Sequence, residues 1–159
     1  MRRTAICLSL LSSLALGTDA WACGDKMVQV GRGVRYQRAA AVRPAAIVMF
    51  LSSGSDREAA NRLRSELLLV GHEVQMVDDA GVLASMLSAQ RFDIVLTSVD
   101  NLALVNERIS SLQSKPIIIP LIDRSSRAGA EEIQRRFPFV LLLSSRALDQ
   151  IALISRAMK

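Results

Sequence analysis

From residue 44 to the end of the chain, short unbroken apolar runs alternate five times with segments whose apolar residues recur every three or four positions. A run such as Ala46-Ile47-Val48-Met49-Phe50-Leu51 has no polar residue to turn toward water, so it reads as a strand covered on both faces. Ser55, three residues before Glu58, is placed to cap a following helix that stops at Gly71. Residues 72–77 alternate through Val74 and Met76 as a second strand. Asp79 is placed to cap a helix that carries Val82, Leu83, Met86 and Leu87 on one face. Residues 92–97 form the third strand, and Asp100 is placed to cap a helix running to residue 112. A strand at 116–122, a helix at 127–136, a strand at 139–143 and a helix at 147–158 complete the series. Each strand is followed by a helix, so successive strands run parallel and each right-handed crossover lays its helix on one face of the sheet. The expected fold is α/β: a five-stranded parallel doubly wound sheet with helices on both faces.

Ahead of this domain the order of residue types predicts a secretory signal peptide over residues 1–22. Arg2 and Arg3 give a positive start, the stretch 5–17 is apolar apart from serines, and Ala20-Trp21-Ala22 is a small-x-small cleavage site. The apolar stretch is shorter than the roughly 20 residues of a membrane-spanning helix. Export to the periplasm or beyond is therefore expected, with a mature chain starting at Cys23. Cys7 leaves with the signal, so a lone thiol remains and no internal disulfide can staple the domain. Cys23 then has three open fates: acylation as in a lipoprotein, an intermolecular disulfide, or an inert free thiol. Directly after the cleavage site is where lipoproteins are acylated, although Ala20 and Trp21 depart from the aliphatic and small residues usual there.

Removing residues 1–22 leaves a net charge of +4. Lys26, Arg32, Arg35, Arg38 and Arg43 face only Asp25 within residues 23–44, a basic N-terminal arm with no sustained apolar period. Such an arm is either a solvated tether or a contact, through residues 26–43, with an anionic envelope or membrane surface. No nucleic-acid partner is expected, since Tyr36 is the arm's only ring and export removes the usual target.

Residues 45–159 resemble a response-regulator receiver domain. The likeness lies in Gly71-His72-Glu73-Val74 before the second strand, Phe92-Asp93-Ile94-Val95-Leu96 in the third, and Lys115-Pro116-Ile117-Ile118-Ile119 leading into the fourth. The resemblance implies a flavodoxin-like strand order of 2-1-3-4-5. It also implies an acidic pair for magnesium, a phosphoaccepting aspartate, a Thr or Ser and a Lys at four strand ends. Those positions fall here on Ser52 and Ser53, on Ser98, on about Leu121 and on about Ser144, so the domain is degenerate. Serine hydroxyls are weak magnesium ligands and form no acyl-phosphate, so no metal site and no catalysis are expected. A slip of one or two residues would bring in Asp100 or Asp123, Asp100 being the better placed of the two.

Ligands of such sheets sit at the carboxyl ends of the strands, where Ser52, Ser53, Gly54, Ser55, Ser98 and Ser144 would converge. A small anionic ligand there is one functional reading, and serines acting as caps and turns is the plainer one. The Ser-Gly loop resembles a flavodoxin phosphate loop, but no aromatic follows the second or third strand to stack a flavin, and no cofactor is expected. His72, the sole histidine, reads as a surface residue remote from the serines, so a Ser-His pair is not expected. Asp78-Asp79 and Glu131-Glu132 read as helix-end acids, not acid–base pairs. The preferred reading is a non-catalytic module that binds a protein partner or itself. Receivers commonly pair through a face that corresponds here to residues 127–145, with Arg135 and Arg136 exposed.

Overall fold

The computed structural model describes residues 28–29, 34–35, 43–51, 53–124 and 126–159. The expected signal peptide, Cys23, most of the arm and Ser52 lie outside the described residues. The chain divides into two compact units, residues 1–37 and 38–159. In the first, Val28–Gln29 pairs antiparallel with Val34–Arg35. The arm's sequence did not suggest this ladder, because two residues are too few to show a period.

The second unit carries β1 (Ala46–Phe50), α1 (Arg57–Leu69), β2 (Glu73–Val77), α2 (Ala80–Ala89) and β3 (Ile94–Ser98). There follow α3 (Leu102–Ser110), β4 (Ile117–Ile122), α4 (Ala130–Arg136), β5 (Leu141–Leu142) and α5 (Ala147–Ala157). All five strands are parallel and lie in the order 2-1-3-4-5, as expected from the sequence. Among the described residues, no helix is long and apolar enough to cross a membrane.

Alternation along the strands divides the core into two layers. Ile47 and Met49 of β1 and Ile94 and Leu96 of β3 pack with Ala60, Leu63 and Leu67 of α1 and Ile154 of α5. Val48, Phe50 and Val95 point the other way and pack with Leu83 and Leu87 of α2 and Val105 and Ile109 of α3. A smaller cluster joins Leu102 of α3, Ile122 of β4 and Ile133 of α4. Both faces of the sheet are thus sealed by helices, which explains strands without a polar face.

Local chemistry sets the helix ends. Asp56, not Ser55, caps α1: its carboxylate accepts from the Ala59 N–H at 2.9 Å. A carboxylate at that position outcompetes the hydroxyl one residue earlier because it also meets the positive end of the helix dipole. After α1 the chain reverses at Gly71, whose φ of +99° is open to glycine without steric penalty. Asp79 caps α2 as expected, accepting from the N–H groups of Gly81 and Val82 at 2.8 Å each. Val82, expected on the buried face of α2, is 47% exposed, while Leu83 and Leu87 carry the contact. Asp100 is not a cap, because a 3-10 turn over Val99–Asn101 carries the chain into α3 and Asp100 lies inside it, exposed.

The fifth strand is shorter than residues 139–143, and Pro120 gives the reason. In β4 the Ile122 carbonyl accepts from Leu143 N–H, so even-numbered residues of this strand turn their backbone groups toward β5. Pro120 shares that direction and has no N–H to give, so the ladder starts only at Leu121 opposite Leu141.

Candidate functional site

The carboxyl ends of the strands bring the residues expected to form a site to one edge of the sheet. Ser53 and Gly54 form the exposed turn after β1, Ser55 is half-buried, and Asp56 begins α1. Ser98 ends β3 directly in register with Leu121 of β4. It is buried, 7% exposed, and its hydroxyl accepts from the Asn101 side chain at 3.1 Å. Leu121 is 2% exposed. A bulky or charged replacement at Ser98 would therefore have to fit inside the core.

Ser144, exposed after β5, borders a small cleft with Asp56, Arg62, Asp123 and Arg124. The cleft measures about 40 Å³, far below the roughly 300–1,000 Å³ of small-molecule sites. Its two carboxylates are already engaged. Asp56 caps α1, and Asp123 accepts from both the backbone N–H and the hydroxyl of Ser126, each at 2.9 Å, in the turn that precedes α4. Of the two acids that a slipped alignment would bring in, Asp123 is the one that borders this cleft, while Asp100 lies exposed in the 3-10 turn after β3. The sequence signal that could have found Asp123 is the Asp-x-x-Ser spacing of a capping turn directly after a strand. Among the described residues, no group of three or more His, Cys, Asp or Glu side chains could hold a metal ion.

Other acids serve the frame. Arg57 donates to Asp78 at 2.7 Å, and this hydrogen bond, reinforced by the guanidinium charge, holds the Asp78 carboxyl below its usual range. Glu131 and Glu132 lie in the first turn of α4, where the helix dipole favours them, and Arg135 and Arg136 lie in its last turn, both exposed.

The expected surface histidine is instead buried. His72 is 3% exposed and its Nδ1 accepts from Ala45 N–H at 3.1 Å, so the ring joins the residue before β1 to the turn into β2. Its Nε2 is buried without a partner. Burial pushes its pKa below 6.5. The signal that could have shown this is its place two residues before Val74 and four before Met76, on the inward face of the alternation.

No protein-family model matches the chain, and no curated protein matches it. Solved structures do. The chain is similar to full-length FixJ from B. japonicum, with a TM-score of 0.57 at 18% identity over 73% of this chain and 59% of that one. The regulatory domain of the repressor of iron transport regulator RitR, in its inactive form, gives 0.55 at 18% identity over 71% and 94%. A CheY-like response-regulator receiver domain from Methylobacillus flagellatus gives 0.52 at 13% identity over 72% and 99%. The fold is that of receiver domains.

Proposed function

We propose that this chain is an exported, non-catalytic receiver-like module that works in the cell envelope by binding a protein partner or a second copy of itself. The observation that carries the reading is the pairing of Ser98 with Leu121 at the ends of β3 and β4, on a receiver fold. A phosphoacceptor there would need a carboxylate at the first position and a hydroxyl at the second, where the fold has a buried serine and a buried leucine. The order of residue types in 1–22 supports export.

A fold kept without that chemistry acts through its surface, and the face around α4 and β5 suits a partner best. β5 is an edge strand of two residues, and beside it Phe137, Phe139 and Val140 are half-buried and border a groove with Leu153 and Arg156. Exposed Arg135 and Arg136 flank this apolar strip. An apolar centre with a charged rim is the usual anatomy of a protein interface. Reversing both charges, R135E with R136E, is expected to weaken self-association or partner capture by about tenfold or more, at a stability cost of about 1 kcal/mol from acids at the carboxyl end of α4, four residues after Glu131 and Glu132. Light scattering on the purified chain and co-purification from envelope extracts read the effect. Association unchanged by the double reversal would sink the assignment of this face.

A further inference from the structure

The amino-terminal edge of the sheet, opposite the strand ends described above, carries a larger groove between the last turns of α2 and α3. It is an open groove of about 420 Å³, inside the roughly 300–1,000 Å³ of small-molecule sites. Phe92 and Leu112 give it an apolar floor, the first buried and the second half-buried. Gln90 and Arg91 stand on one wall and Gln113 and Ser114 on the other, all exposed, and among the described residues no carboxylate borders it.

This set of groups defines a ligand. Two primary amides and a hydroxyl offer donors and acceptors together, which suits a molecule with several hydroxyl groups. The apolar floor suits a ring with a C–H face. Among the described residues, Arg91 is the only charge in the lining and forms no ion pair or hydrogen bond, so its guanidinium fork is open to a carboxylate. Further positive charge lies at the same end. Lys115 is exposed between the lining residues Ser114 and Pro116. Arg43 is exposed just ahead of Ala46, whose carbonyl accepts from the N–H of Asp93, two residues beyond Arg91. The carboxylate of Asp93 is occupied by Ala46 N–H at 2.9 Å. A cationic ligand would meet Arg91 unpaired, and a purely apolar one would strand four polar side chains.

We infer that this groove binds an acidic saccharide, its hydroxyl groups on Gln90, Gln113 and Ser114 and its carboxylate on Arg91. The site lies apart from the α4–β5 face, so it stands or falls independently of the partner reading. Digalacturonic acid and neutral maltose, titrated into the full chain by calorimetry and by NMR of the glutamine side-chain amides, form the test. Digalacturonate is expected to bind and to shift the Gln90 and Gln113 amide signals, with maltose weaker by about tenfold, the loss of one charge-assisted contact. Arg91→Gln is expected to erase that preference while keeping weak binding of both sugars, and Gln113→Leu to weaken both. These positions are exposed, so the unfolding midpoint of each variant should match the parent and separates lost binding from lost folding. Absence of digalacturonate binding at millimolar concentration, or binding indifferent to both substitutions, would overturn the assignment.

Discussion

Leu96→Ala is expected to remove about 2–5 kcal/mol of folding stability, a large share of the roughly 5–15 kcal/mol available to a domain. Leu96 lies in the middle strand of the sheet, with Met49 beside it on β1 and Ile119 on β4, and all three side chains are fully buried. They form one row under α1 and α5, so the space left by the lost isobutyl group is walled on every side by residues already held in the sheet or the helices. Backbone hydrogen bonds to both neighbouring strands stop β3 from moving in to fill it. Val82→Ala removes a similar amount of hydrocarbon from an exposed side chain and is expected to change stability by less than about 0.5 kcal/mol. Urea unfolding followed by far-ultraviolet circular dichroism measures both. Equal costs at the two sites would mean that the two-layer core is wrongly drawn.

Acidification is expected to destabilise the domain through His72. The ring is neutral in the fold, where Nδ1 accepts from Ala45 and protonation would both break that bond and leave a charge in the core. In the unfolded chain the same ring takes up a proton near pH 6.5, while burial holds the folded value lower. Between those two values the unfolded chain binds more protons than the folded one. Stability from this group is therefore complete above pH 6.5 and is lost as pH falls through the folded pKa, with a slope of up to about 1.4 kcal/mol per pH unit. Asp78, whose pKa is depressed from 3.8 by Arg57, is exposed and acts only in a more acidic window. His72→Gln keeps an acceptor for Ala45 N–H but cannot take up the proton, and is expected to flatten the profile between pH 6.5 and the folded pKa. Unfolding midpoints across that range decide it, and a slope that survives in the variant would assign the effect to carboxylates.

Much of the frame was legible because burial on two faces leaves a plain signature. The runs at β1 and β4 are apolar throughout and β3 is apolar from Ile94 to Leu96, and the helices between them carry apolar residues at regular spacing, so element order and a parallel sheet followed. Helix starts were read less well. Ser55 and Asp100 have the right residue type for a cap, yet Asp56 does the first task and a 3-10 turn displaces the second. Choosing between adjacent cap-forming residues depends on the angle at which the chain leaves the strand, which no local pattern encodes. Pro120 hid the length of β5 in a similar way, since its missing donor acts on a strand some twenty residues later.

The strand-end positions were legible as residue types but not as surroundings. That Ser98 is buried against Asn101, and that Asp123 shares a cleft with Asp56 and Ser144, depends on register across the sheet. His72 was misread for the same reason, as its acceptor role requires Ala45, twenty-seven residues earlier, to pass beside it. The groove between α2 and α3 had no motif at all, because its walls come from two helix ends and the loops after them.

Intact mass of the chain recovered from native cells, fraction by fraction, tests the central claim most directly. An exported, non-catalytic module is expected in envelope or external fractions as a chain beginning at Cys23, with no phosphoryl group on any residue. Chain that retains residues 1–22 and stays in the cytosol, or that carries a phosphoryl group on an aspartate, would contradict it.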